Sequence, residues 1–163
     1  MEKKSFNDSG CAFARMLSIV GEWWSPLIIR DIYIGVNNFD AMVENLEISR
    51  NLLTRRLKHL QNEGIIELKP NLKSNKVKIY ALTEKGNELV PVIFSLTNWG
   101  HKWAYDGMSP PIKFIHNDCN QEFEPVMQCN KCGKEINSHN VSTKIGTPPK
   151  NFHGIRGIAK IIS

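Results

Sequence analysis

The residues with the most distinctive chemistry lie towards the end of the chain, where one histidine and three cysteines fall in a short segment. Two residues separate His116 from Cys119, and two residues separate Cys129 from Cys132. A pair at this spacing on a tight turn points both side chains at one ion, and zinc prefers four such nitrogen and sulfur ligands in a tetrahedron. The segment therefore predicts a zinc site with these four ligands, and His139 is the second choice for the histidine.

The expected zinc is structural, because four ligands close its coordination shell whereas a catalytic zinc keeps one position open. No HExxH or HxE motif accompanies the segment. Such a small ribbon cannot fold alone, so the metal would supply much of its stability, with Phe123, Val126 and Met127 as its apolar packing. The alternatives are a redox-active Cys-x-x-Cys pair and thiols that stay free.

The elements that precede this segment begin with four helices predicted from hydrophobic spacing. The fourth has the strongest signals, because Ser49 is a natural N-cap and Gly64 supplies a left-handed end. Leu53, Leu57 and Leu60 form its buried side. The four helices are predicted within residues 11–21, 22–35, 37–46 and 48–64.

A change of period follows, because residues 65–69 and 76–82 are rich in β-branched and aromatic types and a polar turn separates them. This pattern predicts a β-hairpin with a basic tip. Thr83 then caps a long helix that Pro91 interrupts or kinks, and Pro110 marks a linker. The expected fold class is mainly α with a small β-hairpin, namely a winged helix-turn-helix domain followed by a small Cys/His metal-binding ribbon-like tail.

The exposed side of the fourth helix has no carboxylate before Glu63, which favours contact with an anionic surface. Arginine pairs with guanine and asparagine with adenine, whereas lysine and threonine more often hold phosphates. In a winged helix-turn-helix this helix enters the major groove of double-stranded DNA and the hairpin touches the flanking backbone. The predicted DNA-binding residues are Ser49, Arg50, Asn51, Thr54, Arg55, Arg56 and Lys58 on the helix, and Lys73 and Lys76 on the hairpin.

Composition agrees with an anionic partner, since the formal net charge is +5 and the pI is near 9.1. No apolar run approaches the roughly 20 residues that span a bilayer, and no signal-peptide core follows the first residues. We therefore expect no membrane partner and a cytoplasmic location. Thiols stay reduced there, which favours a metal site over a disulfide.

Residues 11 to about 104 resemble the HxlR-type transcriptional regulators, a winged-helix branch related to the MarR group. The matching motifs are a cysteine near the start, "GEWWSPLIIRDIYIG", "NFDAM", "ISRNLLTRRLKHLQNEGII" and "YALTEKGNEL". Asn38 departs from the arginine of the family pattern, Asp40 and Ala41 change the rest of that box, and Ala12 replaces a proline. An arginine in that box often meets the DNA backbone, and the resemblance does not carry that contact over to Asn38.

The resemblance implies a homodimer that binds a pseudo-palindromic operator, with the first helix and the helix after the wing at the interface. Phe13, Phe94, Trp99 and Trp103 would then be interface or core residues. It also implies that Cys11 is a candidate sensor of oxidants or electrophiles. A thiol responds only when it is ionised and accessible, and the competing interpretation of Cys11 is a small buried apolar residue.

The sequence thus predicts a sequence-specific DNA-binding transcriptional regulator, a dimeric repressor that responds to redox or electrophile signals, and not an enzyme. An alternative is a winged-helix protein-interaction module with a structural zinc ribbon, and a metal-dependent hydrolase or thiol oxidoreductase would rest on the tail alone. The predicted domains are 11–108 for DNA binding and dimerisation, 114–140 for the zinc ribbon and 141–163 for a basic tail without assigned structure.

Overall fold

A computed structural model of the chain describes residues 6, 9–71, 74–109, 112–144 and 146, and the side chains of all of these except 74–77. The chain divides into two compact units, of which the second is Glu88–Ser142. The elements of the first unit are α1 (Ala12–Val20), α2 (Trp24–Tyr33), α3 (Phe39–Leu46), α4 (Arg50–Asn62), β1 (Ile66–Asn71), β2 (Ser74–Leu82) and α5 (Glu84–Asn87). Those of the second are α6 (Val90–Trp103), β3 (Ile115–His116) and β4 (Gln121–Glu122).

Helices α3 and α4 form the helix-turn-helix, and each begins at a side chain that caps it. Asn38 Oδ1 accepts the backbone N–H of Ala41 at 2.9 Å, and Ser49 Oγ accepts the N–H of Leu52 at 3.3 Å. Glu47 adopts a left-handed conformation with φ 50° and ends α3, so only a short turn separates the helices. Asn38, which departs from the arginine of the family pattern, therefore works here as a helix cap.

The core of the first unit lies between α2, α3, α4 and the start of β1. The predicted leucine side of α4 is confirmed, because all three leucines are at most 2% exposed. Burying one such side chain contributes roughly 1.5–3 kcal/mol. The buried apolar residues of this core are Ile28, Ile29, Ile32, Met42, Leu46, Ile48, Leu53, Leu57, Leu60, Ile65 and Ile66.

A fully buried carboxylate joins α2 to α3. Asp31 Oδ1 accepts a hydrogen bond from Arg30 Nη2 at 2.6 Å, and Asp31 Oδ2 accepts one from Asn45 Nδ2 at 2.8 Å. Because a buried charge without partners is costly, these donors are what allow an acid in this position. The network holds α3, the first helix of the helix-turn-helix, against α2.

The wing is the predicted β-hairpin. Strands β1 and β2 pair antiparallel from Ile66 with Leu82 to Asn71 with Ser74, with a register shift after Pro70. The Tyr80 N–H donates to the carbonyl of Asn37 at 2.8 Å, so the second strand is tied to the turn that precedes α3. The mainly helical fold with a small antiparallel sheet agrees with the predicted winged helix-turn-helix.

The predicted long helix after the wing is divided in two. Thr83 Oγ1 accepts the N–H of Gly86 at 3.2 Å and caps α5, while Pro91 lies in the first turn of α6, where its missing N–H has no intrahelical partner to lose. A Cβ at Gly86 would lie 2.2 Å from the carbonyl oxygen of Ile65, so only glycine fits there. The expected interruption at Pro91 is confirmed.

The second unit holds α6 and two small hairpins. Strands β3 and β4 form the first hairpin, and a bridge between Gln128 and Glu135 closes the second. Phe123 packs against other aromatic rings, whereas Val126 and Met127 are exposed and do not provide the apolar packing that the sequence suggested. Aromatic rings next to α6 provide the apolar packing instead. No helix in the described part of the chain is long and apolar enough to cross a membrane.

Candidate nucleic-acid interface and the two Cys/His turns

The side of α4 opposite its buried leucines is exposed and polar. It carries two arginines, an asparagine, a threonine and a lysine, and none of them is buried. Amphipathic spacing places these residues on one surface, as the sequence predicted. Their contact with DNA stays a prediction. The members of this surface, called the α4 face below, are Arg50, Asn51, Thr54, Arg55 and Lys58.

Arg50 is held at one edge of the α4 face by residues of α3. Its Nη1 atom lies 2.7 Å from Asp40 Oδ1, and its guanidinium carbon lies 4.8 Å from the centre of the Phe39 ring. Both partners of the ion pair are largely exposed, so the pair contributes little to stability. It does place a carboxylate beside the surface that is expected to meet phosphates.

Two further residues of α4, Arg56 and His59, point away from the α4 face and are half-buried. Arg56 Nη2 lies 2.8 Å from Glu22 Oε2, and His59 Nε2 lies 2.9 Å from the carbonyl oxygen of Ile19. Both contacts link α4 to the end of α1 or the turn after it. The sequence placed Arg56 among the DNA contacts, and a phosphate would have to share this arginine with Glu22.

The hydroxyls of Ser49 and Thr54 take part in the backbone of α4. Ser49 Oγ is the N-cap acceptor, which leaves its hydroxyl hydrogen to donate to a phosphate oxygen. Thr54 Oγ1 donates to the carbonyl of Arg50 at 2.8 Å, so only its lone pairs remain for a partner. Of the two, Ser49 is the better phosphate donor.

The wing supplies further basic residues. Lys78 is exposed on β2, while Lys69 on β1 lies 3.0 Å from Glu67. Lys73 lies outside the described residues, and so does the side chain of Lys76, so their predicted roles stay predictions. Lys69 and Lys78 are therefore the wing cations whose exposure the structure shows directly, and Lys69 is paired with Glu67.

Helix α6 exposes an apolar stripe, called the α6 stripe below. Its members recur at intervals of three or four residues, which puts them on one side of the helix. The resemblance implied that Trp99 and Trp103 are interface or core residues, but periodicity alone does not distinguish a side that faces the chain's own core from a side that faces a partner. The members of the α6 stripe are Val92, Leu96, Trp99 and Trp103.

Phe13 and Leu17 give α1 a smaller exposed apolar side, and Cys11 lies at the start of the same helix. Cys11 is half-buried, and its backbone N–H donates to Ser9 Oγ at 3.2 Å. The Arg15 side chain donates to the carbonyl of Ser9 rather than to the thiol. The thiol is thus neither a fully buried core residue nor paired with this arginine.

The first Cys/His turn closes the hairpin of β3 and β4. Asn120 has a left-handed φ of 54°, and its N–H donates to the carbonyl of His116 at 2.7 Å. His116 Nδ1 lies 3.3 Å from Cys119 Sγ, and His116 Nε2 lies 3.7 Å from a carboxylate oxygen of Asp118. The turn therefore brings one imidazole nitrogen and one thiol together.

The second turn has the same arrangement. Gly133 has a left-handed φ of 70°, its N–H donates to the carbonyl of Cys129 at 2.8 Å, and Cys129 N–H donates to the carbonyl of Lys134 at 2.9 Å. The N–H groups of Lys131 and Cys132 and the side chain of Cys132 donate to the Cys129 thiol, and these hydrogen bonds lower its pKa. Here too, two candidate ligands lie side by side.

The two pairs remain separate. Within the described residues, no three His, Cys, Asp or Glu side chains form a group that could hold a metal ion. His139 is exposed, and its N–H donates to Asn137 Oδ1 at 2.9 Å in a later turn. The four predicted ligands therefore lie as two separate pairs, and both the zinc ribbon and its metal stay predictions.

A capped helix pair, an exposed basic surface on the second of these helices and a two-stranded wing define the first unit as a winged helix-turn-helix. Comparison with known families gives the same class, since the HxlR-like helix-turn-helix family matches residues 19–108. The chain belongs to this family. Membership in a family of helix-turn-helix regulators implies that the chain binds DNA.

Two relatives illustrate the likeness. An uncharacterized HTH-type transcriptional regulator of Mycobacterium tuberculosis is 35% identical over 137 residues, which cover 84% of this chain and 87% of that protein. The HTH-type transcriptional regulator YodB of Bacillus subtilis is 35% identical over 92 residues, which cover 55% of this chain and 81% of that protein. These relatives carry the names of regulators and not of enzymes.

The fold is also similar to a solved structure, that of PA1607, a candidate transcription factor. The TM-score is 0.77 at 25% identity, and the match covers 86% of this chain and 99% of the other. The mycobacterial alignment is long enough that, in a chain of 163 residues, it must include both Cys/His turns. The likeness to that regulator therefore extends past the winged helix-turn-helix into the tail.

Proposed function

We propose that this chain is a homodimeric transcriptional repressor that reads a specific, pseudo-palindromic operator with α4 and steadies the DNA with its wing. The single observation that carries the proposal is the α4 face, an exposed surface without carboxylates on a capped helix. Arg55 at its centre has the geometry to pair with a guanine edge, and Asn51 can pair with adenine. A helix that docks on a protein would not need such a uniformly cationic and polar surface.

The dimer is supported by the α6 stripe. Trp99 and Trp103 are each 63% exposed on one side of a helix, and large aromatic side chains in this position are typical of interface centres. A twofold dimer presents two copies of α4, which explains why a pseudo-palindromic operator is expected. A dimer that covers a promoter blocks transcription without any further surface, which is why repression is the simplest action.

The proposal is tested by base-selective loss of binding. An operator would first be selected from a random DNA pool, which also gives the half-site spacing. Replacing Arg55 with alanine should weaken specific binding by about 1–3 kcal/mol and relax discrimination at one base position. Replacing Lys78 should weaken binding to all sequences about equally and reduce the salt dependence by about one ion.

Lys134→Ala is the matched control, because it removes the same charge from an exposed position in the second unit. It should leave operator affinity within about twofold, since Lys134 belongs to neither the α4 face nor the wing and its exposed charge is screened by salt. If Arg55→Ala bound the operator as tightly as the unaltered chain and kept the same base preferences, the α4 face would not be the surface that reads DNA.

We further propose that Cys11 makes the regulator responsive to oxidants or electrophiles. Its thiol is partly accessible and begins α1, whose exposed Phe13 and Leu17 lie on the helix predicted at the dimer interface. A bulky or charged adduct there would disturb the dimer. Mild diamide treatment should modify Cys11, detected by mass spectrometry, and lower operator affinity in the unaltered chain but not in Cys11→Ser. An unmodified Cys11, or equal loss in both proteins, would end this part of the proposal.

A further inference from the structure

The two Cys/His turns repeat one backbone geometry. In each, a candidate ligand directly follows a residue that is paired across the hairpin, Ile115 or Gln128, and a second candidate ligand comes three residues later. The next residue, Asn120 or Gly133, is left-handed and donates its N–H back to the carbonyl of the first ligand. His116 and Cys129 therefore hold equivalent positions, and so do Cys119 and Cys132.

The backbone pairing that flanks the two turns has the same spacing along the chain. Ile115 pairs with Glu122 across the first hairpin, and Gln128 pairs with Glu135 across the second, one residue before the first ligand in each case. Two equivalent hairpins that each carry two ligands provide the two halves of a tetrahedral site, because each half needs to fix only one edge of the tetrahedron. The sequence showed only that both pairs have the same spacing, and the structure adds that their backbone geometry is the same.

The first turn already has the geometry of such an edge. Two ligands bound to one tetrahedral zinc at about 2.0 and 2.3 Å lie about 3.5 Å apart. The distance from His116 Nδ1 to Cys119 Sγ is 3.3 Å. The other ring nitrogen faces the carboxylate of Asp118 at 3.7 Å, and a carboxylate on the far side of a ligating histidine commonly orients the ring.

We propose that the two turns together bind one zinc ion, with His116 through Nδ1 and with Cys119, Cys129 and Cys132 through sulfur. The described side chains form two separate pairs, so binding draws the turns together. Three thiols lose their protons to solvent when they ligate the ion. Three thiolates and one imidazole close a tetrahedron and leave no position for a substrate, so the site is structural. This inference does not rest on the proposed DNA-binding function.

The repeat also decides between the two histidines. His116 occupies the position that Cys129 has in the second turn, whereas His139 lies outside both turns, on a backbone held by Asn137. Sequence spacing alone left both histidines open. His139 is therefore a non-ligand and serves as the matched control.

The zinc site would be connected to α6 by aromatic packing inside the second unit. The His116 ring lies 6.1 Å from Phe123 in an edge-on arrangement, Phe123 lies 5.9 Å from Phe114, and Phe114 lies 4.6 Å from Phe94 on α6, all between ring centres. An ion that fixes the imidazole also fixes the first ring of this row. The metal thus anchors the tail to the helix that carries the α6 stripe.

The experiment is a titration of the full-length, reduced protein with Co²⁺, followed by displacement with Zn²⁺. We expect one ion per chain, the visible spectrum of tetrahedral cobalt and a thiolate-to-cobalt charge-transfer band with the intensity of three thiolates. Absence of saturable binding at one ion per chain, or an octahedral spectrum, would overturn the proposal.

Four variants assign the histidine. His116→Ala should weaken zinc binding at least 100-fold, because losing a residue that only hydrogen-bonds to a ligand already lowers metal affinity by about 10–100-fold. His139→Ala should change zinc affinity by no more than about twofold. His116→Cys should keep the ion and raise the charge-transfer band by about a third, whereas His139→Cys should leave the band unchanged. Because His116→Cys retains a complete site, the assignment stays testable if His116→Ala does not fold. The opposite pattern, with His139 affecting the ion and His116 not, would refute the ligand set.

Discussion

Helices α4 and α6 both turn one side to solvent, but the two exposed surfaces have opposite chemistry. Helix α4 buries three leucines in the core of the first unit and exposes two arginines, a lysine, a threonine and an asparagine. Helix α6 exposes its apolar residues instead, with two tryptophans, a leucine and a valine on one side. A cationic surface is stable in water without a partner, whereas an exposed stripe of this size is typical of a protein interface.

The difference shows which of the two surfaces is stable in a single chain without a protein partner. The α4 face needs nothing for folding, so its residues can be replaced with effects on binding alone. The α6 stripe leaves several large apolar side chains in water, and their burial in a second copy would contribute to the stability of the folded dimer. DNA binding and dimerisation should therefore respond to different substitutions, and the predictions below test that separation.

The largest effect is expected on the buried side of α4. Leu57→Ala removes a side chain that is 2% exposed and should lower the free energy of unfolding by about 2–5 kcal/mol. Urea denaturation would measure it, with Arg55→Ala as the control from the exposed side of the same helix. An Arg55→Ala chain destabilised as much as Leu57→Ala would show that the α4 face has a structural role.

The next effect is expected on the α6 stripe. Trp99→Ala should weaken the proposed homodimer by about 2 kcal/mol or more, roughly 30-fold in its dissociation constant, because it removes a large aromatic side chain from the proposed interface. Sedimentation equilibrium would measure the change. Trp23→Ala is the control, since Trp23 is 87% exposed but lies just before α2 in the first unit. Equal loss in both variants, or a monomeric unaltered chain, would contradict an interface on the α6 stripe.

A smaller effect is expected at Arg56, which neighbours Arg55 in the sequence but has a different predicted role. The Arg56 and Glu22 side chains are 22% and 30% exposed, so Arg56→Ala should cost about 1 kcal/mol of folding stability by breaking their ion pair. Arg55→Ala should instead reduce operator affinity. Measuring both quantities for both variants tests whether the position of the side chain on α4 decides its role. A base-specific loss in Arg56→Ala would support the DNA contact that the sequence predicted for Arg56.

Sequence patterns predicted the helices, the wing and the break at Pro91, because local spacing and capping determine these features. They also predicted which residues of α4 are exposed, since three leucines at helical intervals fix the buried side. The partners of Arg50 and Arg56 were not predictable, because Asp40 and Glu22 approach them only through the tertiary fold. The repeat of the two Cys/His turns was equally hidden, since the matching left-handed residues are an asparagine and a glycine.

The smallest effect concerns Asp40, a carboxylate that the structure pairs with the α4 face. Asp40 neutralises Arg50 where a phosphate is expected, so Asp40→Asn should raise operator affinity by about two- to fivefold at low salt, less as salt screens the interaction. Glu44→Gln is the control, because it removes an exposed charge from the same helix α3. Fluorescence anisotropy over a salt series would compare them. Equal gains would mean that only net charge matters. A loss in Asp40→Asn would mean that the acid positions Arg50 for DNA, in which case the ion pair belongs to the interface and does not compete with it.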